Sequence, residues 1–324
     1  MTQCGSILVG DIGGTNARFA IATPEKAGVR LDHKQVFRAE DFEELPDAIR
    51  AYLESWSGGR PARACLAVAG PVDKARIEFT NSNWSFAPDA LKAALSLETL
   101  RVINDFQAMA RGAIEAPEDE LLTLNPGAAV ADAPSAVLGP GTGLGLGLAV
   151  PTNGGVRIIS TEGGHAAFAP QDEKEIEVLR FIRREHAYVS YERVLSGRGL
   201  VNLHRALCAL AGETRMTLQP SEITAAALDG SLPIARKATE MFCAILGVYA
   251  GNVALITGAR GGVYIAGGIA PKIEDILLAS KFLERFTNRD LMRAYMEAIP
   301  VKLLTSSEAA LRGAALCIEA EASR

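Results

Sequence analysis

The chain has 324 residues, a formal net charge of −5 and a hydrophobic content of 48%, with 22% of its residues charged. That composition describes a soluble globular protein with room for two domains and excludes a disordered or fibrous chain. No stretch concentrates Lys and Arg, so nucleic acid is not expected as a partner, and no basic segment leads into an apolar core of the secretion-signal type.

Ile7-Leu8-Val9 reads as a strand that runs into Gly10-Asp11-Ile12-Gly13-Gly14-Thr15-Asn16-Ala17-Arg18. Glycines allow a tight turn whose N–H groups converge on an anion, and a carboxylate beside such a turn can manage a metal ion. A Gly-Gly pair alone marks an ordinary hairpin turn; the preceding Asp and the following Thr-Asn point instead to phosphate. A Walker A loop ends in Lys-Ser/Thr, which is absent, and a Rossmann loop opens a helix. Here Arg18–Thr23 reads as a second strand, stopped by Pro24. The element is a hairpin that grips phosphate at its tip, with Gly10, Asp11, Ile12, Gly13, Gly14 and Thr15 as candidate nucleotide contacts.

Phe42–Trp56 reads as an amphipathic helix with Gly58-Gly59 behind it. Ala64–Ala69 is a buried strand ending at Gly70-Pro71, Pro88–Leu97 a helix, and Leu100–Ile103 a strand ending at Asn104-Asp105. The alternation is an α/β pattern. Ligands of open α/β sheets collect outside the carboxyl ends of strands, where an Asp can take the proton of an alcohol attacking phosphorus. A lone Asn-Asp there also reads as a helix cap or turn.

From Ala133 to Val156 there is no charged residue, which suggests a membrane span, but seven glycines and three prolines make a poor isolated helix. The segment reads as a second Gly-rich hairpin: a strand through Leu138, then Gly141-Thr142-Gly143, then an alternating strand to Val150. Two hairpins of one design suggest a duplicated core with nucleotide held between the halves. Helices dominate from Glu173 to Ala259. Gly262–Pro271 then reads as strand, Gly267-Gly268 pair and helix start, a place where a flat ligand can approach the backbone. Ser307–Arg324 reads as one Ala-rich helix. Cys4, Cys65, Cys208, Cys243 and Cys317 are scattered, with no Cys-x-x-Cys pair, as expected of reduced cytoplasmic thiols acting as small core residues.

Two further clusters carry polar chemistry, Thr161-Glu162-Gly163-Gly164-His165 and Tyr191-Glu192-Arg193-Val194-Leu195-Ser196-Gly197. Glu162 and His165 supply only two ligands for a metal site, and Glu192 alone reads equally as a solvated helical charge. Sugars present several hydroxyls that both donate and accept, so carboxylates, amides and imidazoles suit them. Asn104, Asp105, Glu162, His165 and Glu192 make such a set.

Asp11–Arg18, Asn104-Asp105-Phe106, Leu138–Gly145, Glu162–His165, Glu192–Gly197 and Ile265–Pro271, in this order, resemble the bacterial glucokinases, within the superfamily that joins sugar kinases, actin and the heat-shock chaperone ATPases. Gly313-Ala314-Ala315 is similar to the family near the end of the chain, while Pro140 and Arg198 depart from it beside the motifs. The resemblance implies a two-domain actin-like (ribonuclease H-like) α/β fold with an interdomain cleft. It implies a small domain of residues 1–112 plus 306–324, on which the last helix packs, and a large domain of residues 113–305. It implies ATP-dependent phosphorylation of glucose at the 6-hydroxyl, the first step of glycolysis, by a cytoplasmic homodimer. Asp105 is then the base, with Asn104, Glu162, His165 and Glu192 on the sugar. Gly13, Gly14 and Thr15 grip phosphate from one side and Gly141, Thr142 and Gly143 from the other, and Gly267 and Gly268 border adenosine. Mg²⁺ lies near Asp11, through water. The missing Cys-rich zinc motif after His165 favours the zinc-free branch and a sugar contact for that imidazole. With an ordinary carboxyl pKa of about 3.9, Asp105 is expected to be ionised at pH 7.

Other readings remain open on sequence: a kinase for another hexose, or a filament-forming or chaperone ATPase of the same superfamily, which needs no such hydroxyl-binding set. A DNA-binding regulator is expected to carry a domain ahead of the first hairpin, where nine residues precede Gly10.

Overall fold

The computed structural model describes residues 5–26, 28–70, 72, 74–79, 84–213 and 218–322. The chain forms two compact units, one of Met1–Pro117 with Ser306–Arg324 and one of Glu118–Thr305.

The first unit opens with β1 (Ile7–Ile12), β2 (Asn16–Glu25) and β3 (Gly28–Arg38), an antiparallel meander. After α1 (Leu45–Glu54), β4 (Arg63–Val68) pairs parallel to β1. A small hairpin of β5 (Ile77–Glu78) and β6 (Ser85–Phe86) and then α2 (Pro88–Ala94) lead to β7 (Thr99–Asn104), parallel to β4. The sheet order is β3-β2-β1-β4-β7. α3 (Asp105–Ile114) leaves β7 directly.

Two strand expectations need correction. β2 does not stop before Pro24 but runs through it to Glu25. Pairing with β1 ends at Ala22, so a residue without an N–H at position 24 removes no bond from that ladder. β3 was not foreseen: it is an edge strand whose residues are half-buried or exposed, and His33 and Gln35 interrupt the inward series of Val29, Leu31 and Phe37, so its apolar alternation is broken in the middle. α1 is also shorter than the amphipathic stretch suggested.

Side chains of β1 alternate between two cores. Leu8 and Ile12 face a cluster with Phe19, Ile49 and Tyr52, while Ile7 and Val9 face one with Ala108, Ala314 and Ala315. The second core is closed by α11 (Ala309–Ala322), which packs on α3 and the sheet. The helices touch backbone to backbone: a Cβ on Gly112 would lie 1.8 Å from the Ala309 carbonyl oxygen, and one on Gly313 would lie 1.8 Å from that of Ala108. Arg63 pairs with Glu319 at 2.7 Å, and Arg101 donates to the Cys317 carbonyl, so polar contacts also hold the helix to the sheet.

The second unit repeats the scheme. β8 (Leu121–Asn125) precedes β9 (Ser135–Pro140), β10 (Leu144–Thr152) and β11 (Gly155–Thr161), again an antiparallel meander. The helices α4 (Glu173–Ile182), α5 (Gly197–Ala211), α6 (Pro220–Asp229) and α7 (Pro233–Thr257) follow. β12 (Gly262–Ile265) pairs parallel to β9; then come α8 (Glu274–Ala279), α9 (Phe282–Thr287), α10 (Arg293–Glu297) and β13 (Val301–Leu304), parallel to β12. The order is β11-β10-β9-β12-β13-β8. Both sheets are therefore a three-stranded meander whose first strand continues into two parallel strands, which is the duplication suggested by the paired hairpins. The uncharged stretch of residues 133–156 is the β9–β10 hairpin with its flanks. α7 is long and apolar enough to cross a membrane, but 72% of its apolar window is buried in the unit's core. Cys65, Cys208, Cys243 and Cys317 are free and buried, and Cys4 lies outside the described residues.

Gly313→Ala pushes a methyl into the Ala108 carbonyl and is expected to destabilise the first unit by about 1–3 kcal/mol, read as a lower urea midpoint; an unchanged midpoint means the α3–α11 contact yields freely.

Candidate active site

β1, β4 and β7 run parallel with Ile12, Val68 and Asn104 in adjacent register positions. Their carboxyl ends finish together, the place where an α/β sheet offers a ligand site. Asp11 lies on the face of β1 that carries Ile7 and Val9 toward the α3–α11 layer, and Asp105 is the first residue of α3. Register and alternation thus bring together two carboxylates 94 positions apart in sequence.

Asn104 is the N-cap of α3. Its Oδ1 accepts from the N–H groups of Phe106 at 2.9 Å and Gln107 at 3.2 Å, and its Nδ2 donates to the Gly70 carbonyl at 3.3 Å. The cap reading of this residue therefore holds, and it leaves one amide hydrogen for a ligand. Asp105 Oδ1 accepts from the Phe106 N–H at 2.8 Å. Burial pushes the Asp105 carboxyl up, the charge of Asp11 pushes it further, and hydrogen bonds from the Phe106 and Asp105 backbone and from Asn104 pull it down, leaving it at about 6. The ordinary value expected from residue type does not hold, because that value belongs to a solvated carboxyl. Burial also raises Asp11, against the opposing charge of Arg18, whose Nη1 lies 3.4 Å from Asp11 Oδ2. Arg18 has no role in the sequence reading. Its place in the motif was visible, but its contact with Asp11 follows from their direct pairing across β1 and β2.

The turn between β1 and β2 is closed by the Gly13 N–H, which donates to the Asn16 carbonyl at 2.9 Å, and anchored by the Ala39 N–H on the Thr15 carbonyl at 2.8 Å. Gly13 is thereby engaged within the turn. The N–H groups of Gly14 and Thr15 have no acceptor among the described residues and are the ones left for an anion. Gly10 and Ile12 are buried within β1; a Cβ at Gly10 would lie 2.8 Å from Leu66, so this glycine serves the packing beneath the turn.

The second unit gathers the remaining candidates. The Gly141 N–H closes the β9–β10 turn on the Gly143 carbonyl at 2.8 Å, and the Gly141 carbonyl accepts from the Gly197 N–H at the start of α5 at 2.8 Å. Thr142 and Gly143 keep N–H groups without an acceptor among the described residues. Glu192 Oε2 accepts from the Leu144 N–H at 2.9 Å, and a Cβ on Gly143 would lie 2.7 Å from that oxygen. Glu192 is thus no freely solvated charge: one oxygen braces the turn and the other remains. Glu162 and His165 flank a 3-10 turn at Gly163–His165, with side chains 93% and 60% exposed and 3.9 Å apart. The Tyr191 N–H donates to the Ala166 carbonyl at 2.9 Å and the Tyr188 hydroxyl to the His165 carbonyl at 2.8 Å, which joins the 162–168 and 188–192 segments. Gly267, at φ +81°, sits where a Cβ would lie 2.5 Å from the Pro140 carbonyl oxygen, whereas Gly268 faces open space. The Gly pair and the β9–β10 turn are therefore neighbours. Among the described residues no group of three or more His, Cys, Asp or Glu can hold a metal ion. Asp11 and Asp105 are hard oxygen donors that repel each other, a donor set that suits a hydrated Mg²⁺ rather than zinc.

Each unit thus carries a Gly-rich strand hairpin, with a strand-end aspartate in the first and a Glu–His pair in the second. A family model described as Glucokinase matches residues 8–321. The chain belongs to the glucokinase family. A glucokinase of Chromobacterium violaceum is 45% identical over 308 residues, covering 95% of this chain and 88% of the relative. The crystal structure of a glucokinase from an Antarctic psychrotroph aligns with a TM-score of 0.89 at 38% identity, covering 98% of this chain and 99% of that one. The fold extends to a ROK family glucokinase of Streptomyces griseus, solved with glucose and AMPPNP, at a TM-score of 0.63 and 20% identity over 97% of this chain and 99% of that one. As a glucokinase-family chain, this protein has its candidate residues split between its two units, with Asp11, Gly13–Thr15, Asn104 and Asp105 in the first and the others in the second.

The raised Asp105 carboxyl has a consequence for stability. The folded state holds this proton more tightly than the unfolded one, whose value is near the usual 3.8, so this group's contribution to stability is fully present below that value and is lost as pH rises through about 6. Asp105→Asn is expected to be more stable than the parent by about 1–2 kcal/mol at pH 7.5 and equal to it at pH 4. Urea unfolding at the two pH values checks this; a gain that persists at pH 4 has another origin.

Proposed function

We infer that the chain transfers the γ-phosphoryl group of ATP to the 6-hydroxyl of glucose, giving glucose 6-phosphate and ADP. The observation that carries this reading is the raised, half-buried carboxyl of Asp105 at the end of β7, beside a phosphate-type turn, in a chain of the glucokinase family. In the proposed fold, the actin-like one, ATP and sugar occupy a cleft between two domains, residues 1–112 with 306–324 and residues 113–305. The repeated sheet topology supports it. The Antarctic psychrotroph glucokinase supports the same architecture through its close alignment.

Asp105 accepts the proton of the 6-hydroxyl as that oxygen forms its bond to the γ-phosphorus and the bond to the β,γ-bridging oxygen breaks. With a carboxyl near 6 it is mostly ionised at pH 7 yet basic enough to hold the proton it takes. Asn104 fixes the start of α3 and with it the position of Asp105. Glu162, His165, the free oxygen of Glu192 and the spare amide hydrogen of Asn104 meet the sugar hydroxyls. The N–H groups of Gly14 and Thr15 on one side and of Thr142 and Gly143 on the other hold phosphate oxygens, and Gly267-Gly268 lies along the adenosine. Asp11 would hold Mg²⁺ through water; when bound, the ion neutralises charge on the outer phosphates. A cytoplasmic homodimer completes the reading.

A coupled assay of ADP release across a panel of hexoses, with a no-sugar control, tests the reaction. Glucose is expected to give the highest kcat/KM and the control almost none; equal release without sugar would mark a plain ATPase. Asp105→Ala is expected to lose roughly 10²–10⁴-fold in kcat. In the parent, kcat/KM falls as pH drops through about 6, because the base becomes protonated. An acid limb that remains in the Asp105→Asn variant would belong to another group.

A further inference from the structure

One buried hydroxyl in the second unit has no use in the scheme above. Tyr249 lies midway along α7 and is 2% exposed. Its hydroxyl is buried without a hydrogen-bond partner among the described residues. Its neighbour Tyr191, with ring centroids 4.6 Å apart, is satisfied: that hydroxyl accepts from Asn252 Nδ2 at 2.9 Å. An orphaned buried hydroxyl destabilises a fold, so any state in which it gains a partner is favoured by that contact.

What lies above Tyr249 is the turn that carries Glu162 and His165. A Cβ built on Gly163 would be 3.1 Å from the Tyr249 hydroxyl, 3.2 Å from Thr161 Oγ1 and 2.3 Å from Leu146 Cδ2. Gly163 has no positive φ, so space rather than conformation requires this glycine. The Thr161 hydroxyl beside it is loosely held. It donates to the Leu146 carbonyl at 3.3 Å, near the weak end of the range, and accepts one bond, from the Gly163 N–H at 3.1 Å. One acceptor position on Thr161 Oγ1 is left over. Donor and acceptor thus face the same missing side chain.

We propose that Tyr249 is a positioning residue for sugar recognition: when sugar engages Glu162 and His165, the Thr161–His165 turn settles inward over Gly163, and the Tyr249 hydroxyl donates to Thr161 Oγ1. This inference rests on the sugar-binding reading of Glu162 and His165. The unsatisfied hydroxyl makes the free protein less stable and the sugar-bound one comparatively more so. The turn is seated equally in the bound ground state and in the transition state, so the contact acts on sugar affinity rather than on the chemical step.

The test is Tyr249→Phe, which removes one oxygen and no packing volume of consequence. The free variant is expected to melt about 1–3 °C higher than the parent. Its KM for glucose is expected to rise about 3–10-fold, with kcat and the KM for ATP unchanged. Thr161→Val supplies a double-mutant cycle: the pair is non-additive in glucose affinity and additive in the melting temperature of the free protein. A lower melting temperature for Tyr249→Phe, an unchanged glucose KM, or additivity in glucose affinity overturns the proposal. If the parent enzyme itself does not turn over glucose, the functional reading fails and this inference falls with it. If the parent turns over and the variant matches it, only this inference fails.

Discussion

Two carboxylates held at one sheet end set the terms for the first unit. Asp11 and Asp105 repel each other, both are partly withdrawn from water, and the Asp105 carboxyl rises to about 6 as a result. A buried like-charge pair is unfavourable, so the surroundings must hold it in place. Parallel register fixes the strand ends, Asn104 clamps the start of α3, Arg18 offsets the charge of Asp11, and α11 presses α3 onto the sheet through glycine contacts. The like-charge pair costs stability, and the packing behind it offsets that cost.

The second unit applies the same turn design to a different task. Its Gly141–Gly143 turn is braced by the carboxylate of Glu192, which is also proposed to meet sugar. In the proposed reading Glu192 would serve both substrates: one oxygen fixes the turn proposed for phosphate, and the other is left for a sugar hydroxyl. The Glu162–His165 turn is held from behind by Tyr188 and the 188–192 segment, and its floor at Gly163 packs closely on Leu146, Thr161 and Tyr249.

Much of this was legible in the residues themselves. The Gly-rich turns stand out because few residue types reach such geometry, and both proved to be hairpins. The strand-end Asn-Asp stood out because helix caps and strand ends share a short vocabulary, and here one residue serves as the cap. What went unseen follows a pattern. β3 is an edge strand in which His33 and Gln35 break the inward apolar series of Val29, Leu31 and Phe37, so the alternation that reports a core is interrupted. The run past Pro24 depended on where the pairing with β1 ended.

By itself, the sequence determined the residue types and their order: two Gly turns, a strand-end carboxylate, two Glu-bearing clusters and the family to which the order points. These are local, because a turn or a cap is specified by the residues within it. Only the tertiary structure decided the charge state of Asp105, the pairing of Arg18 with Asp11, the engagement of the Gly13 and Gly141 N–H groups, the bracing role of Glu192 and the orphaned hydroxyl of Tyr249. Each depends on burial or on a partner far along the chain, and desolvation and long-range proximity are properties that a linear string of residues does not carry.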